Sequence, residues 1–176
     1  MNRRYAGRIT NIGRDKFDAI AKYFSADDIG ESYQEEVERA TPSPSPPPGP
    51  TTPQYQASKT GKKLVIDNSL AKYCKEQAQY TCEANSGHIS FLSKVTGQNF
   101  VEVHHLIPLK AQLEFKNALD NIANIVSLCP NCHRLLHHAP DSEKRTPLKA
   151  LLNDTRKQAL KNRGTPITFR ELLKYY

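Results

Sequence analysis

The order of apolar and polar positions divides the 176-residue chain into three unlike stretches. Near the start, Phe17, Ile20, Ala21 and Phe24 recur at i, i+3, i+4 and i+7, the spacing of one apolar helix face, and 31–40 reads as a candidate second helix. Residues 41–53 hold seven of the twelve prolines and no apolar side chain larger than proline, the composition of an extended, semi-rigid spacer. Forty residues bury too little to fold alone. The N-terminal arm therefore docks on the rest of the chain, pairs with another copy or belongs to a longer unit, and its pattern does not choose.

Beyond the spacer the period changes several times. Asp67 or Asn68 can cap a helix running to about Tyr80, with Leu70, Tyr73, Cys74 and Gln77 on one side and Cys74 as a buried apolar residue. Turn signals at 85–87 and 96–99 flank Ile89 to Val95 and predict a hairpin whose second strand is Asn99 to Leu106, stopped by Pro108. Residues 109–123 read as a loop with room for one helical turn, Ile125 to Leu128 as a short strand, and Pro130 as the first turn of a helix, where its missing N–H costs nothing. Farther on, Thr146-Pro147 starts a helix with Leu148, Leu151, Leu152, Thr155 and Ala159 on one face and Gly164 at its end. Thr168 with Glu171 forms a capping box and Ile167 with Leu172 a hydrophobic staple, so a last helix is expected from Phe169 to Tyr176. The expected organisation is a helical arm (1–40), a Pro-rich linker (41–53), a principal domain (54–145) and C-terminal helices packed on it (146–176).

Composition sharpens this outline. No run approaches the roughly 18 consecutive apolar residues of a membrane span, and no apolar stretch follows the charged N-terminus, so a soluble, cytoplasmic protein with reduced cysteines is expected. The net charge of +7 is uneven: residues 1–40 carry 7 basic against 8 acidic side chains, and residues 54–176 carry 18 against 10. A basic half suits a polyanionic partner, because each phosphate it neutralises releases condensed counterions. Lys149, Arg156, Lys157, Lys161 and Arg163 would give the 146–164 helix a basic exposed side, either a phosphate track or a solvated face.

The same half carries the candidate chemistry. All six histidines fall within 88–138, and Cys82, Cys129 and Cys132 lie in or beside that window. His133 and His137, four apart on the helix expected from Pro130, project from one face and can grip one ion. His104 and His105 stand at a strand end, where the alternation of faces is expected to break and let both converge on a cleft. Three imidazole ligands leave positions open for water and phosphate oxygens, which suits catalysis more than a closed structural site.

These residues resemble the HNH endonucleases of the ββα-metal fold. The resemblance rests on Glu102-Val-His104-His105-Leu-Ile-Pro108 and on Asn124 five residues ahead of Cys129-x2-Cys132-His133, and it covers about 68–138. It implies an α+β fold, a small ββα-metal (HNH, or His-Me finger) core with a β-hairpin, a metal-binding helix and flanking helices, stapled by a structural zinc. It also implies one catalytic divalent metal (Mg, Mn, Ni or Zn) held by His104, His133 and His137, with His105 as the general base that activates water. Asn124 would brace the loop between strand and helix, with Asn121 as its rival. Zinc-stapled members often carry two Cys-x2-Cys knuckles, but here Asn85 stands where the fourth thiolate would be. His88 is the next donor, making Cys82, His88, Cys129 and Cys132 the expected structural zinc set, with Cys74 as the competing fourth ligand. Arg134, Lys157 and Lys161 are candidate nucleic-acid contacts, and His138 a surface residue. The implied activity is restriction- or defence-type hydrolysis of DNA phosphodiester bonds, with double-stranded DNA and a homodimer expected. The competing expectation is a zinc-stapled nucleic-acid-binding or adaptor module with a vestigial site.

Overall fold

The computed structural model describes residues 31–58 and 61–176; the amphipathic pattern of Phe17, Ile20, Ala21 and Phe24 lies outside them. The described elements are helix α1 (Glu31–Arg39), strands β1 (Tyr55–Ser58) and β2 (Gly61–Leu64), helix α2 (Asn68–Gln77), strand β3 (Glu102–His105), a 3-10 helix (Leu109–Glu114), strand β4 (Ile125–Leu128) and helix α3 (Pro130–His138). Helices α4 (Asp141–Leu151), α5 (Asp154–Asn162) and α6 (Phe169–Leu172) follow, and a 3-10 turn (Leu173–Tyr175) comes last. None of the described helices is long and apolar enough to cross a membrane.

The centre is the antiparallel pair β3–β4, in the register Glu102↔Leu128, Val103↔Ser127, His104↔Val126 and His105↔Ile125. Opposed residues share a face and successive ones alternate. Glu102, His104, Val126 and Leu128 therefore face one way, and Val126 and Leu128 join the larger apolar cluster with Leu136, Leu148, Leu151, Leu160 and Leu172. Val103, His105, Ser127 and Ile125 face the other way, and Val103 and Ile125 pack with Leu70, Ala71 and Cys74 of α2 and with Tyr33 and Val37 of α1. All four β4 residues are buried because the two-stranded sheet is covered on both sides.

The arm docks. The Gln34 carboxamide donates to the Val103 carbonyl (3.0 Å) and accepts from the Val103 N–H (2.9 Å), so one side chain satisfies the outward-facing backbone of β3 as a neighbouring strand would. Residues 41–53 have no regular structure and lie against the fold: the Thr51 carbonyl accepts from the Ala118 N–H, and Arg163 donates to the carbonyls of Pro47 and Gly49.

Several elements differ from their sequence pattern. The hairpin expected between Ile89–Val95 and Asn99–Leu106 is reduced to a single bridge, Leu92↔Asn99. The strand that begins at Glu102 pairs instead across the 106–124 loop, since Ile125–Leu128 can bury both faces while Ile89, Phe91 and Leu92 remain exposed. The exposed pair β1–β2 had no period-2 apolar signature. The single helix read from Thr146 to Gly164 is two: α4 begins at Asp141 and carries Pro147 inside it, and Asn153 caps α5 by accepting the Arg156 N–H (2.9 Å). Burial of Leu148 and Leu151 holds α4 through the proline, and an asparagine able to cap is what restarts the helix. The Thr168–Glu171 capping box forms as read. Gly164 (φ +68°) ends α5, with the Asn117 side chain donating to its carbonyl.

Two expectations follow. Gln34→Ala leaves both backbone groups of Val103 buried and unpaired, so chemical denaturation should report a loss of about 1–3 kcal/mol. Lys75, 1% exposed, sits 3.8 Å from Glu38 and over the Phe100 ring, and burial lowers its pKa from 10.5 to about 8 against the opposing pull of Glu38. Its native pKa lies below that of the unfolded chain, so between about pH 8 and 10.5 the unfolded chain holds a proton the native state has shed. Stability should climb with pH across that window and be flat in this respect below it; Lys75→Met should flatten the climb in pH-dependent melts.

Candidate metal and nuclease site

Helix α3 is entered through Cys129, whose sulfur accepts the Cys132 N–H (3.4 Å), with Pro130 in the first turn. From there His133 and His137 fall on the face turned to β3, while His104 projects toward them from the strand. The ligand atoms of His104, His133 and His137 lie within 4.8 Å of one another. The His133 and His137 Nε2 atoms are 3.1 Å apart. Two imidazole nitrogens bound to one ion at about 2.0–2.1 Å in tetrahedral geometry would be separated by roughly 3.3 Å.

Glu102 stands behind this pair. Its Oε2 is 2.6 Å from His133 Nδ1, which assigns the ring proton to Nδ1 and leaves the Nε2 lone pair facing His137. Burial would raise the Glu102 carboxyl, but the hydrogen bond from His133, with Arg134 and Lys75 nearby, holds it below the usual carboxylate range. His104 Nε2 lies 2.7 Å from the Tyr176 hydroxyl, which donates onward to the Leu106 carbonyl.

His105 occupies the other face. The alternation does not break at the strand end as expected, because His105 still pairs with Ile125 and the pleat carries its ring away from His104. Its Nε2 is 2.9 Å from Asp120 Oδ1, and the second oxygen of Asp120 accepts the Asp67 N–H (2.7 Å). Asn124, fully buried, donates to the carbonyls of Ile107 (2.8 Å) and Leu119 (2.9 Å) and accepts the Ile107 N–H (2.6 Å), tying the loop after β3 to the turn before β4. Asn121, the rival, braces only its own turn through Ala118, Ala123 and Asn124. Glu102, Asp120 and Tyr176 are the partners that residue-by-residue reading missed. Glu102 was visible two positions before His104, whereas nothing local links Asp120 or Tyr176 to the histidines.

A second cluster ties the 82–88 corner to the start of α3. Cys82, His88, Cys129 and Cys132 have ligand atoms within 4.8 Å of one another. His88 Nδ1 lies 3.2 Å from the Cys132 sulfur, 3.8 Å from that of Cys129 and 3.9 Å from that of Cys82. Burial and the neighbouring sulfurs raise the Cys132 thiol. Burial also acts to raise Cys82, but backbone N–H groups of Cys129, Asn85 and Ala84 hold it below its usual value. Thiols crowded this closely resist ionising together, a conflict that a cation among them removes. None of the four cysteines is in a disulfide. Cys74 is excluded from the cluster: it packs with Leu70 and Val103, where burial pushes its thiol up to about 12.

The candidate phosphate contacts divide. Arg134, Lys157 and Lys161 are exposed, with Lys157 paired to Asp154. Arg156 and Arg163, read as parts of a basic exposed side, serve the fold: Arg156 binds the carbonyls of Ala123 and Ile125 and the Glu83 carboxylate, and Arg163 holds the Pro-rich segment. His138 is exposed, as expected.

A small antiparallel sheet with a helix against it, and imidazoles from both turned toward each other, is consistent with a ββα fold. Residues 72–139 match the family model described as HNH endonuclease, in agreement with the resemblance read from 68–138. The chain is 32% identical over 100 residues to the type IV methyl-directed restriction enzyme EcoKMcrA of Escherichia coli (strain K12), a match covering 57% of this chain and 34% of that protein. The chain thus spans about a third of the length of the curated relative it matches. Together these matches support a nuclease at the level of the family.

The Cys82 cluster has its own test. Cys82→Ala should lower the melting temperature and the zinc bound per chain together; a variant with unchanged zinc by elemental analysis would refute the ligand set.

Proposed function

We propose that the protein is a metal-dependent HNH endonuclease that hydrolyses DNA phosphodiester bonds, with a restriction or defence role in keeping with its relative's name. The observation that carries this reading is the pair of His133 and His137 Nε2 atoms 3.1 Å apart with Glu102 behind His133 Nδ1. Two imidazoles aimed at one point, one of them anchored by a carboxylate, would form a carboxylate–histidine–metal motif around a bound ion.

In this reading His104, His133 and His137 hold one divalent ion. When bound, such an ion polarises the scissile phosphate and steadies charge on the leaving oxygen. His105 is the general base. Asp120 keeps the ring proton on Nε2, so Nδ1 takes the proton from the attacking water, and an imidazole with an unperturbed pKa of about 6.5 is suited to do so near neutral pH. His104 and His105 are adjacent on β3 and face opposite sides, so the residues that would hold the ion and the base share one strand end. Asn124 keeps that strand end in place through the Ile107 backbone. Cys82, His88, Cys129 and Cys132 hold a structural zinc that joins the 82–88 corner to α3, so chelation unfolds the site as well as stripping it. Double-stranded DNA is the substrate this reading expects, with two copies cutting the two strands.

Supercoiled plasmid incubated with the protein and Mg²⁺, Mn²⁺, Ni²⁺ or Zn²⁺ should be nicked. His105→Ala should lower the rate by about 100-fold or more, the scale of a lost general base, and Glu102→Gln should weaken activity or metal affinity by about 10- to 100-fold. Absence of nicking by the wild type with every metal would favour the nucleic-acid-binding adaptor.

A further inference from the structure

Beside the histidine site the surface opens into a cavity of about 480 Å³, between α1 and the 91–100 segment, with Glu102 and Arg134 on its wall. Glu102, which also meets His133, is shared between this wall and the histidine cluster. Phe91 and Phe100 stack in its lining, with ring centroids 4.7 Å apart and planes inclined by 13°. Phe91 is 61% exposed although one ring face lies on Phe100, so its other face is open. Ile89 and Leu92, at 87% and 73%, extend the apolar surface of the same segment. Nothing in the hydrolytic reading uses these side chains, and a soluble fold gains nothing from exposing three large apolar residues together.

The surrounding charges narrow the occupant. Lys94 and Arg134 line the cavity without a hydrogen bond or ion pair among the described residues, while Glu35 is engaged by Arg39 and Glu102 by His133. Glu38, 8% exposed, also lines the cavity, with its carboxylate 3.8 Å from the buried Lys75. A flat π-face beside two cations that make no hydrogen bond fits an aromatic heterocycle that carries phosphate on its sugar. An exposed aromatic ring is a general platform for bases, since every base offers a π-face.

We propose that this cavity receives an unstacked nucleobase next to the scissile phosphate, laid on the open face of Phe91, with its flanking phosphates met by Lys94 and Arg134. The proposal rests on the nuclease reading and adds to it a base-unstacking step. The bond to be cut is presented on a strand pulled out of its duplex stack, and bases that unstack easily are favoured.

The test uses the full chain in a His105→Ala background, so that binding is read without cutting. A duplex carrying 2-aminopurine beside the preferred cleavage position, mapped beforehand with wild-type protein, should brighten on binding as that base leaves its neighbours. Adding Phe91→Ala should abolish the brightening and weaken binding by roughly 5- to 100-fold, the equivalent of one lost stacking contact. Phe91→Trp should retain both, and the melting temperature should not change because Phe91 is mostly exposed. Unchanged brightness and affinity in Phe91→Ala, with wild-type plasmid nicking intact, would overturn this inference alone. A dimer broken by Phe91→Ala at unaltered DNA affinity would assign the face to a second copy and overturn it likewise. Wild-type protein that neither binds nor nicks DNA would remove the reading underneath.

Discussion

The pleat of one four-residue strand organises this molecule. In β3 the residues 102, 103, 104 and 105 alternate sides, and because β4 pairs with them in one register, each side chain has a fixed destination. Glu102 and His104 go to α3, and Val103 and His105 go to α1, α2 and the 106–124 loop. A slip of one residue would exchange these destinations, sending His105 to the helix histidines and burying Glu102 among Val37, Leu70 and Ile125. The register is held from three sides: Val126 and Leu128 in the larger core, Val103 and Ile125 in the smaller one, and the Gln34 carboxamide on the outer backbone of Val103. A buried carboxylate and two buried histidines are expensive to desolvate. They are tolerated because Glu102 meets His133 and His105 meets Asp120.

The two clusters divide the labour of rigidity and chemistry. The thiol-rich set sits at the start of α3 and the imidazole set along its middle, so a cation in the first would fix the helix that presents the second. The protein is small, and part of its apolar surface remains exposed on the 89–95 segment. A metal tie between the 82–88 corner and α3 would supply order that core volume alone provides weakly at this size. Arg156 adds a polar tie of the same kind, reaching from α5 to the carbonyls of Ala123 and Ile125 and to Glu83, whose other oxygen accepts the Ser127 N–H. Helices placed after the metal helix thus brace the strand on which the histidine geometry depends.

Much of the site was legible because its signals are local. The i, i+4 pair His133 and His137, the knuckle Cys129-x2-Cys132, Pro130 in a first helical turn and the Thr168–Glu171 box each depend on neighbours within one or two helical turns, and each lies in the structure where its spacing put it. What failed to be legible involves a choice among distant partners. The strand starting at Glu102 had two candidate mates, Ile89–Val95 nearby and Ile125–Leu128 beyond a long loop. Proximity favoured the first and burial on both faces selected the second. The 146–164 helix split for a comparable reason, since its apolar face had to turn from one part of the core to another and Asn153 supplied the cap for a new start.

The sequence by itself determined the ligand types, their clustering in one basic half of the chain, and the helical face that brings His133 to His137, because covalent spacing and helix period leave no alternative for those. Tertiary structure alone decided that His88 and not Cys74 completes the cysteine cluster, that Asp120 holds His105 and Tyr176 meets His104, and that Gln34 of α1 seals the edge of β3. Those pairings join residues from 6 to 72 positions apart. Over such separations the chain offers many polar partners of equal chemistry, and only the packing of apolar faces around β3 and β4 selects which of them come within a hydrogen bond of each other.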